Sequence, residues 1–214
     1  MLKLDKICYH YKKDEKNILN NVCANFEVGK FTTIVGPSGS GKTTMLSILA
    51  GMDVPTSGTI MIDEENLAGM DLDFYRREKI SMIFQAFHLF PLLTVMENVC
   101  YPADLDVAKA KELLISVGIS EEKHNRYPSN LSGGEQQRVA IARSLSTKAK
   151  VILADEPTGN LDQTNSKAIV SMLKNLAHEK GYAVVVVTHD LDIAKEADAV
   201  YRMSDGQLSL TAKT

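Results

Sequence analysis

The chain has 214 residues, 44% hydrophobic and 24% charged, enough to bury a sizeable core as one soluble domain. Lys plus Arg number 24 against 27 Asp plus Glu, and the resulting net charge of −3 leaves no bulk attraction to nucleic acid. The 3 cysteines contain no C-x-x-C pair, which argues against a disulfide framework or a zinc site, and no apolar run reaches the ~20 residues that span a bilayer.

Met1 to Lys6 alternates like a strand and does not resemble a signal peptide. Leu2 to Tyr9 and Val22 to Val28 read as strands, with a turn at Asp14-Glu15-Lys16-Asn17 between them. The basic pairs Lys12-Lys13 and Lys148/Lys150 read as solvated surface. Cys8, Cys23 and Cys100 are expected to be buried free thiols in a reducing compartment.

Phe31 to Val35 is a β-branched run that enters Gly36-Pro37-Ser38-Gly39-Ser40-Gly41-Lys42-Thr43, after which Thr43 to Leu49 has helical character. Strand, glycine loop and helix in this order satisfy the phosphate-loop pattern G-x-x-x-x-G-K-[ST]. The glycines let backbone N–H groups turn onto phosphate oxygens, Lys42 reaches the β- and γ-phosphates, and the Thr43 hydroxyl is placed for Mg²⁺. Tyr11 lies upstream where a ring can fold back and stack on a base. It is favoured over Tyr9, which falls inside the alternating strand.

Gly58 to Asp63 and Ile80 to Phe84 read as strands, the second ending at Gln85. From Thr94 to about Asn125 the pattern is helical. Val107, Ala110, Leu113, Leu114 and Val117 recur there at helical spacing. Residues from about Ala86 to Ser146 are the best candidate for a helical subdomain. Ser132-Gly133-Gly134 opens a helix that runs to Leu145. A helix N-terminus with a serine and two glycines is either a plain N-cap or a second anion cradle. Having no lysine of its own, it makes most sense completing another molecule's site.

Val151 to Ala154 is a buried strand ending in Asp155-Glu156, where Asp155 can hold a metal and Glu156 can polarise a water. Ser166 to Lys180 is an amphipathic helix with Ile169, Met172, Leu173 and Leu176 on one face, stopped by Gly181. Tyr182 to Val187 is so uniformly apolar that it belongs in the centre of a parallel sheet, and it ends at Thr188-His189-Asp190. His189 is either a structural histidine or a sensor of the γ-phosphate. Alternating strands and helices define an α/β core, whose ligands bind beyond the carboxyl ends of the strands. Gln85, Asp155, Glu156 and His189 all stand at such ends.

Taken in order, these segments resemble the nucleotide-binding subunit of an ATP-binding cassette transporter over nearly the whole chain. Tyr11 matches the adenine-stacking aromatic, Gly36 to Thr43 Walker A, and Gln85 the Q-loop. Leu131 to Gln137 (LSGGEQQ) matches the signature, Val151 to Glu156 Walker B, Asn160-Leu161-Asp162 the D-loop, and His189 the switch histidine.

The resemblance implies a P-loop NTPase core with a mainly parallel sheet and an N-terminal antiparallel β subdomain (1–85 and 147–214). It also implies an inserted α-helical subdomain, about 86–146, that carries the signature. ATP and Mg²⁺ are the implied ligands. Tyr11, Gly36, Ser38, Gly39, Ser40, Gly41, Lys42, Thr43 and Thr44 would hold the nucleotide in one chain. Ser132, Gly133, Gly134 and Gln136 would cover it from a second chain of a head-to-tail homodimer. Thr43, Gln85 and Asp155 would surround the metal, Glu156 would be the general base, His189 would contact the γ-phosphate, and Asp162 would communicate between sites.

Ala154 to Asp162 and Thr94 to Val99 resemble the lipoprotein-release and macrolide-export group, which also contains bacitracin and haem exporters and the cell-division ATPase. That implies an ATPase energising a separate integral membrane permease from the cytoplasmic face. The alternative is an ATPase coupled to a non-transport membrane process such as cell division or signalling. The stretch from Tyr101 to Ala108 is shorter than the group's usual pattern and puts the identity of the permease in doubt. No regulatory C-terminal domain is expected after Gly206-Gln207-Leu208. A cassette acting on DNA or ribosomes is disfavoured by the single cassette and the absence of a coiled-coil arm or basic face. A small-molecule kinase would leave LSGGEQQ and His189 unexplained.

Overall fold

A computed structural model describes residues 1–11 and 17–213. The expectations for Lys12-Lys13 and for a turn through Asp14 to Lys16 lie outside the described residues. In chain order, β1 (Leu2–Tyr9) and β2 (Leu19–Phe26) precede β3 (Phe31–Val35), α1 (Lys42–Leu49), β4 (Ser57–Ile62) and β5 (Glu65–Asn66). These are followed by α2 (Leu72–Glu78), β6 (Ile80–Ile83), α3 (Val95–Cys100), α4 (Val107–Ser116) and α5 (Gly133–Leu145). The last elements are β7 (Val151–Asp155), α6 (Gln163–His178), β8 (Ala183–Thr188), α7 (Leu191–Lys195), β9 (Ala199–Ser204) and β10 (Gln207–Lys213).

Two sheets result. An antiparallel sheet has the order β2-β1-β4-β5, and a six-stranded sheet has the order β10-β9-β3-β8-β7-β6. In the second, β9, β3, β8, β7 and β6 are mutually parallel and β10 is antiparallel to β9. The Ala183–Thr188 strand is central and buried at every position, as its unbroken apolar run requires.

The pleat sends alternate residues of this sheet into two cores. Ile34, Leu153, Val185 and Val187 join α1 and the antiparallel sheet on one side. Phe31, Ile152, Ala154, Val184 and Val186 join α3, α4, α5 and α6 on the other. Pairing in register brings Val35 opposite Thr188 and Asp155 opposite Val187. The carboxyl ends of β3, β8 and β7 therefore form one edge, and every candidate site loop after a strand leaves from it or from adjacent β6.

Three sequence expectations need correction. The second strand runs from Leu19 to Phe26 and not from Val22 to Val28. Leu19 pairs with Tyr9 and is buried, whereas Val28 is 54% exposed ahead of the positive-φ turn at Gly29. The thiols are not buried, because Cys8 and Cys23 lie on the outward face of the β1–β2 ladder, where their neighbours Ile7 and Val22 take the core positions. Val107 is exposed, being the first residue of α4, while Ala110, Leu114 and Val117 carry the buried face. The lysines before β7 are surface residues as expected: Lys148 is exposed beside Glu78, and Lys150 is exposed with its ammonium over the Tyr182 ring.

The helical expectation for Thr94 to Asn125 resolves into α3, α4 and short 3₁₀ turns. Thr94 and Glu97 form a reciprocal capping box at the start of α3. Asn98 is fully buried there; its amide accepts from Phe90 N–H at 2.7 Å and donates to the carbonyls of Phe90, Leu93 and Thr94. Asn98→Ala would strand these backbone groups away from water. We expect it to cost about 2–4 kcal/mol, read from urea unfolding.

Candidate nucleotide site

Residues 36–41 connect β3 to α1 and project from the common edge. Gly39 (φ 76°) and Gly41 (φ 105°) occupy the left-handed region, where a side chain would be strained. Gly36 is required sterically, since a Cβ there would run into the carbonyl of Met203. The Ser40 hydroxyl is buried and has no hydrogen-bond partner among the described residues. Lys42 folds back so that Nζ donates to the carbonyls of Gly36 (2.8 Å) and Pro37 (2.9 Å). Turned backbone amides, an orphaned buried hydroxyl and an ammonium at the mouth of the loop fit a polyphosphate. Thr43 is exposed at the first turn of α1.

Tyr9 and Tyr11 separate as their positions suggest. Tyr9 is buried, while Tyr11 is 45% exposed and packs edge-on against it with centroids 5.2 Å apart. The Tyr11 hydroxyl stands 3.5 Å from that of Thr44. The half-exposed aromatic ring therefore lies beside the start of α1 that follows the glycine loop, where a planar group can stack.

Asp155 ends β7 half-buried. Burial pushes its carboxyl above the usual range, Glu156 adds to this by repulsion, and Lys42 acts in the opposite sense. Glu156 adopts φ 44° and turns its carboxylate to the end of β8. One oxygen accepts from the Thr188 hydroxyl at 3.1 Å; the other accepts from His189 N–H at 3.1 Å and stands 2.8 Å from His189 Nδ1. Gln85 reaches the next loop: its carbonyl accepts from Asn160 Nδ2 at 2.9 Å, and its side chain lies 3.5 Å from Asn160 Oδ1.

At the start of α5, Ser132 is an exposed N-cap whose hydroxyl accepts from Glu135 N–H, while the Glu135 carboxylate accepts from Ser132 N–H at 2.9 Å. Lys123 pairs with the same carboxylate and, as the largest cause, holds it below the usual range. The box uses the Ser132 hydroxyl as an acceptor and leaves its proton free to donate. The N–H groups of Gly133 and Gly134 find no acceptor among the described residues. Gln136 donates to the Leu131 carbonyl at 3.1 Å and closes the turn from behind. A Cβ on Gly134 would collide with Asn165, which is fixed by two hydrogen bonds to Asp162.

The ABC transporter family model matches residues 19–159. The chain belongs to the ABC transporter ATP-binding family. This ABC ATPase is 42% identical to the lipoprotein-releasing system ATP-binding protein LolD 2 of Rhodopirellula baltica, over 94% of the chain and 84% of that protein. It also resembles a solved dimeric structure of the ABC transporter cassette MJ0796 of Methanocaldococcus jannaschii, with a TM-score of 0.88 and 41% identity over 98% of this chain and 97% of that one. A second dimeric structure of that cassette, in a post-hydrolysis state bound to ADP and Pi, superposes with a TM-score of 0.88 at 39% identity over 100% of both chains.

Several partners in this ABC ATPase escaped sequence reasoning. Thr188 and Asn160 hold Glu156 and Gln85, and Asn165 backs the signature turn. Thr188 carried a local signal, as the polar residue closing an apolar strand just before His189, and Asn160 was marked by the D-loop match but not as a partner of Gln85. Among the described residues no three His, Cys, Asp or Glu side chains cluster as a preformed metal cage. A magnesium site built from one carboxylate, a hydroxyl and phosphate oxygens needs no such cage.

The raised Asp155 carboxyl has a measurable consequence. The folded chain binds its proton more tightly than the unfolded chain, so this contribution to stability is fully present below the ordinary aspartate range. It is lost as pH rises through the raised value. Asp155→Asn should therefore stabilise the nucleotide-free fold at pH 7, with a difference that shrinks toward pH 3, as read by thermal unfolding across pH.

Proposed function

We propose that this ABC ATPase hydrolyses Mg²⁺-bound ATP in a head-to-tail homodimer and thereby drives a separate membrane permease of the lipoprotein-release or macrolide-export type. The observation that carries the dimer is the start of α5. The Ser132 proton and the amides of Gly133 and Gly134 are anion donors that find no acceptor among the described residues, and the nearby Lys123 is engaged by Glu135. They complement the phosphate loop of a second copy.

In each site Tyr11 stacks on adenine, and the loop amides of Gly36, Ser38, Gly39, Ser40 and Gly41, with Lys42 and Thr44, hold the phosphates. Thr43, Gln85 and Asp155 would hold Mg²⁺, which when bound would neutralise charge on the phosphate oxygens. Glu156 takes the proton of the attacking water, held in place by Thr188 and His189. His189 exposes the rest of its ring toward the γ-phosphate, and Asp162 ties the signature turn to its own D-loop through Asn165. Closure around ATP and reopening after its hydrolysis follow from ligand binding across the dimer. Residues from about 86 to 146 form the helical subdomain that carries the signature.

No helix among the described residues is long and apolar enough to cross a membrane, so the permease supplies membrane attachment. We place its docking segment in the cleft of about 320 Å³ lined by Met52, Arg76, Phe84, Phe90, Pro102 and Arg143. Phe90 and Tyr101 are exposed at its rim, stacked edge-on at 5.6 Å, and the lining carries arginines and no acid. Pro102 lies at the start of the shortened Tyr101 to Ala108 stretch, so that stretch shapes this cleft. Affinity isolation from membranes should recover one integral membrane protein with the wild-type chain. Phe90→Asp should lose it while the isolated chain binds ATP normally, and recovery with both chains would sink the docking assignment.

A further inference from the structure

The loop that carries Gln85 contains an uncommon turn. Phe87 (φ 56°) and His88 (φ 50°) are consecutive left-handed residues that both bear side chains. Such a conformation persists only where neighbours enforce it. Within the turn Phe87 N–H donates to the Phe84 carbonyl and the His88 ring packs edge-on against Phe84 at 4.8 Å, and the group that grips it from outside is Arg143, near the far end of α5. Its Nη2 donates to the Phe87 carbonyl at 2.9 Å and its Nη1 to the His88 carbonyl at 2.5 Å. The same guanidinium stands 6.0 Å from the centroid of the Phe90 ring.

No carboxylate pairs with Arg143 among the described residues, although most of the side chain is withdrawn from water. A largely buried cation satisfied by two carbonyls of a strained turn is a costly arrangement to keep for packing alone. The Phe87 ring also lies near the start of α5, within 3.7 Å of where a Cβ on Gly133 would stand. Among the described residues Gln85 itself is hydrogen-bonded only to Asn160, so the placement of its loop depends on what fixes residues 87 and 88.

We propose that Arg143 is a positioning residue for ATP hydrolysis: its forked guanidinium holds the Phe87–His88 turn and so sets where Gln85 stands at the end of β6. This rests on the assignment of Gln85 to the Mg²⁺ site. Arg143 lies about 16 Å along α5 from Ser132 at a rise of roughly 1.5 Å per residue, too far to be part of the anion cradle itself. A lysine at 143 has one point charge and no fork, and can serve one carbonyl well but not both.

The test compares full-length Arg143→Met, Arg143→Lys, Gln85→Ala and the Arg143→Met/Gln85→Ala double variant at saturating Mg²⁺-ATP, with thermal unfolding as a check of the fold. Arg143→Met should keep affinity for a fluorescent ATP analogue within about twofold and lower kcat about 10- to 100-fold, the scale of a slight misplacement of catalytic groups. Arg143→Lys should recover part of the rate. Adding Gln85→Ala to Arg143→Met should lower kcat by no more than about a further twofold, because both changes remove the same contribution.

If Arg143→Met folds poorly, the Lys variant carries the comparison, and an unchanged kcat there overturns the proposal. A slow Gln85→Ala beside a fast Arg143→Met overturns it alone, as do losses that multiply in the double variant. A Gln85→Ala chain that hydrolyses normally overturns the assignment of Gln85, and the role of Arg143 with it.

Discussion

Glu156→Gln is expected to retain ATP and to hydrolyse it about 10²- to 10⁴-fold more slowly, the range for loss of a general base. The substitution is close to isosteric, and the local geometry tolerates it. The amide oxygen can still accept from His189 N–H, and the Thr188 hydroxyl can turn from donor to acceptor. Glu156 sits at φ 44° because β7 and β8 pair in register beside it, and glutamine changes neither. What disappears is the basic carboxylate and its repulsion of Asp155, so that carboxyl should ionise more readily and hold the metal at least as well. With closure by ATP intact and its removal blocked, the dimer should accumulate. Single-turnover phosphate release and size-exclusion chromatography with ATP measure the two effects. A rate within a fewfold of wild type would show that another group takes the proton.

The second large effect is expected at Ser132. Ser132→Asp preserves the N-cap, because aspartate caps helices as well as serine does. It removes the only hydroxyl proton at the start of α5 and puts a negative charge where a partner's phosphate would sit. Loss of a hydrogen bond to a charged group is worth about 1.5–3 kcal/mol, so hydrolysis should fall at least about tenfold, and further through repulsion. The isolated chain should bind ATP as before, since among the described residues no hydrogen bond joins Ser132 to the phosphate loop of its own chain.

Mixing Ser132→Asp with Glu156→Gln then separates two geometries. In a head-to-tail dimer, one site combines an intact Glu156 with an intact Ser132 from the other chain, and measurable hydrolysis returns. If Ser132 served its own chain's nucleotide, both sites would stay damaged and the mixture would be as slow as its parts.

Much of the fold is local information. The apolar run from Tyr182 to Val187 could only be a central strand, and Ile169, Leu173 and Leu176 mark the buried face of α6. Short or interrupted elements were harder. Leu19 belongs to β2 only because it meets Tyr9 across the ladder, and Val107 looks like a core position until the cap at Asp106 makes it the exposed first residue of α4. The cysteines were misplaced because a thiol is apolar enough for either face of a strand. The neighbouring Ile7 and Val22 decided which face was inward.

For the site, the amino-acid sequence alone located the phosphate-loop pattern and the serine-glycine N-cap that opens α5. Both depend on glycine conformation and on backbone groups within one short segment, so proximity along the chain is enough. Tertiary structure decided the partnerships. Glu156 meets His189 across 33 residues only because β7 and β8 are parallel neighbours in one register. Tyr11 reaches Thr44 because the antiparallel sheet packs over α1, and Arg143 reaches the Gln85 loop because α5 lies against the face of β6. Strand order and helix docking are set by burial of two apolar faces summed over the whole chain, and no local pattern carries that sum.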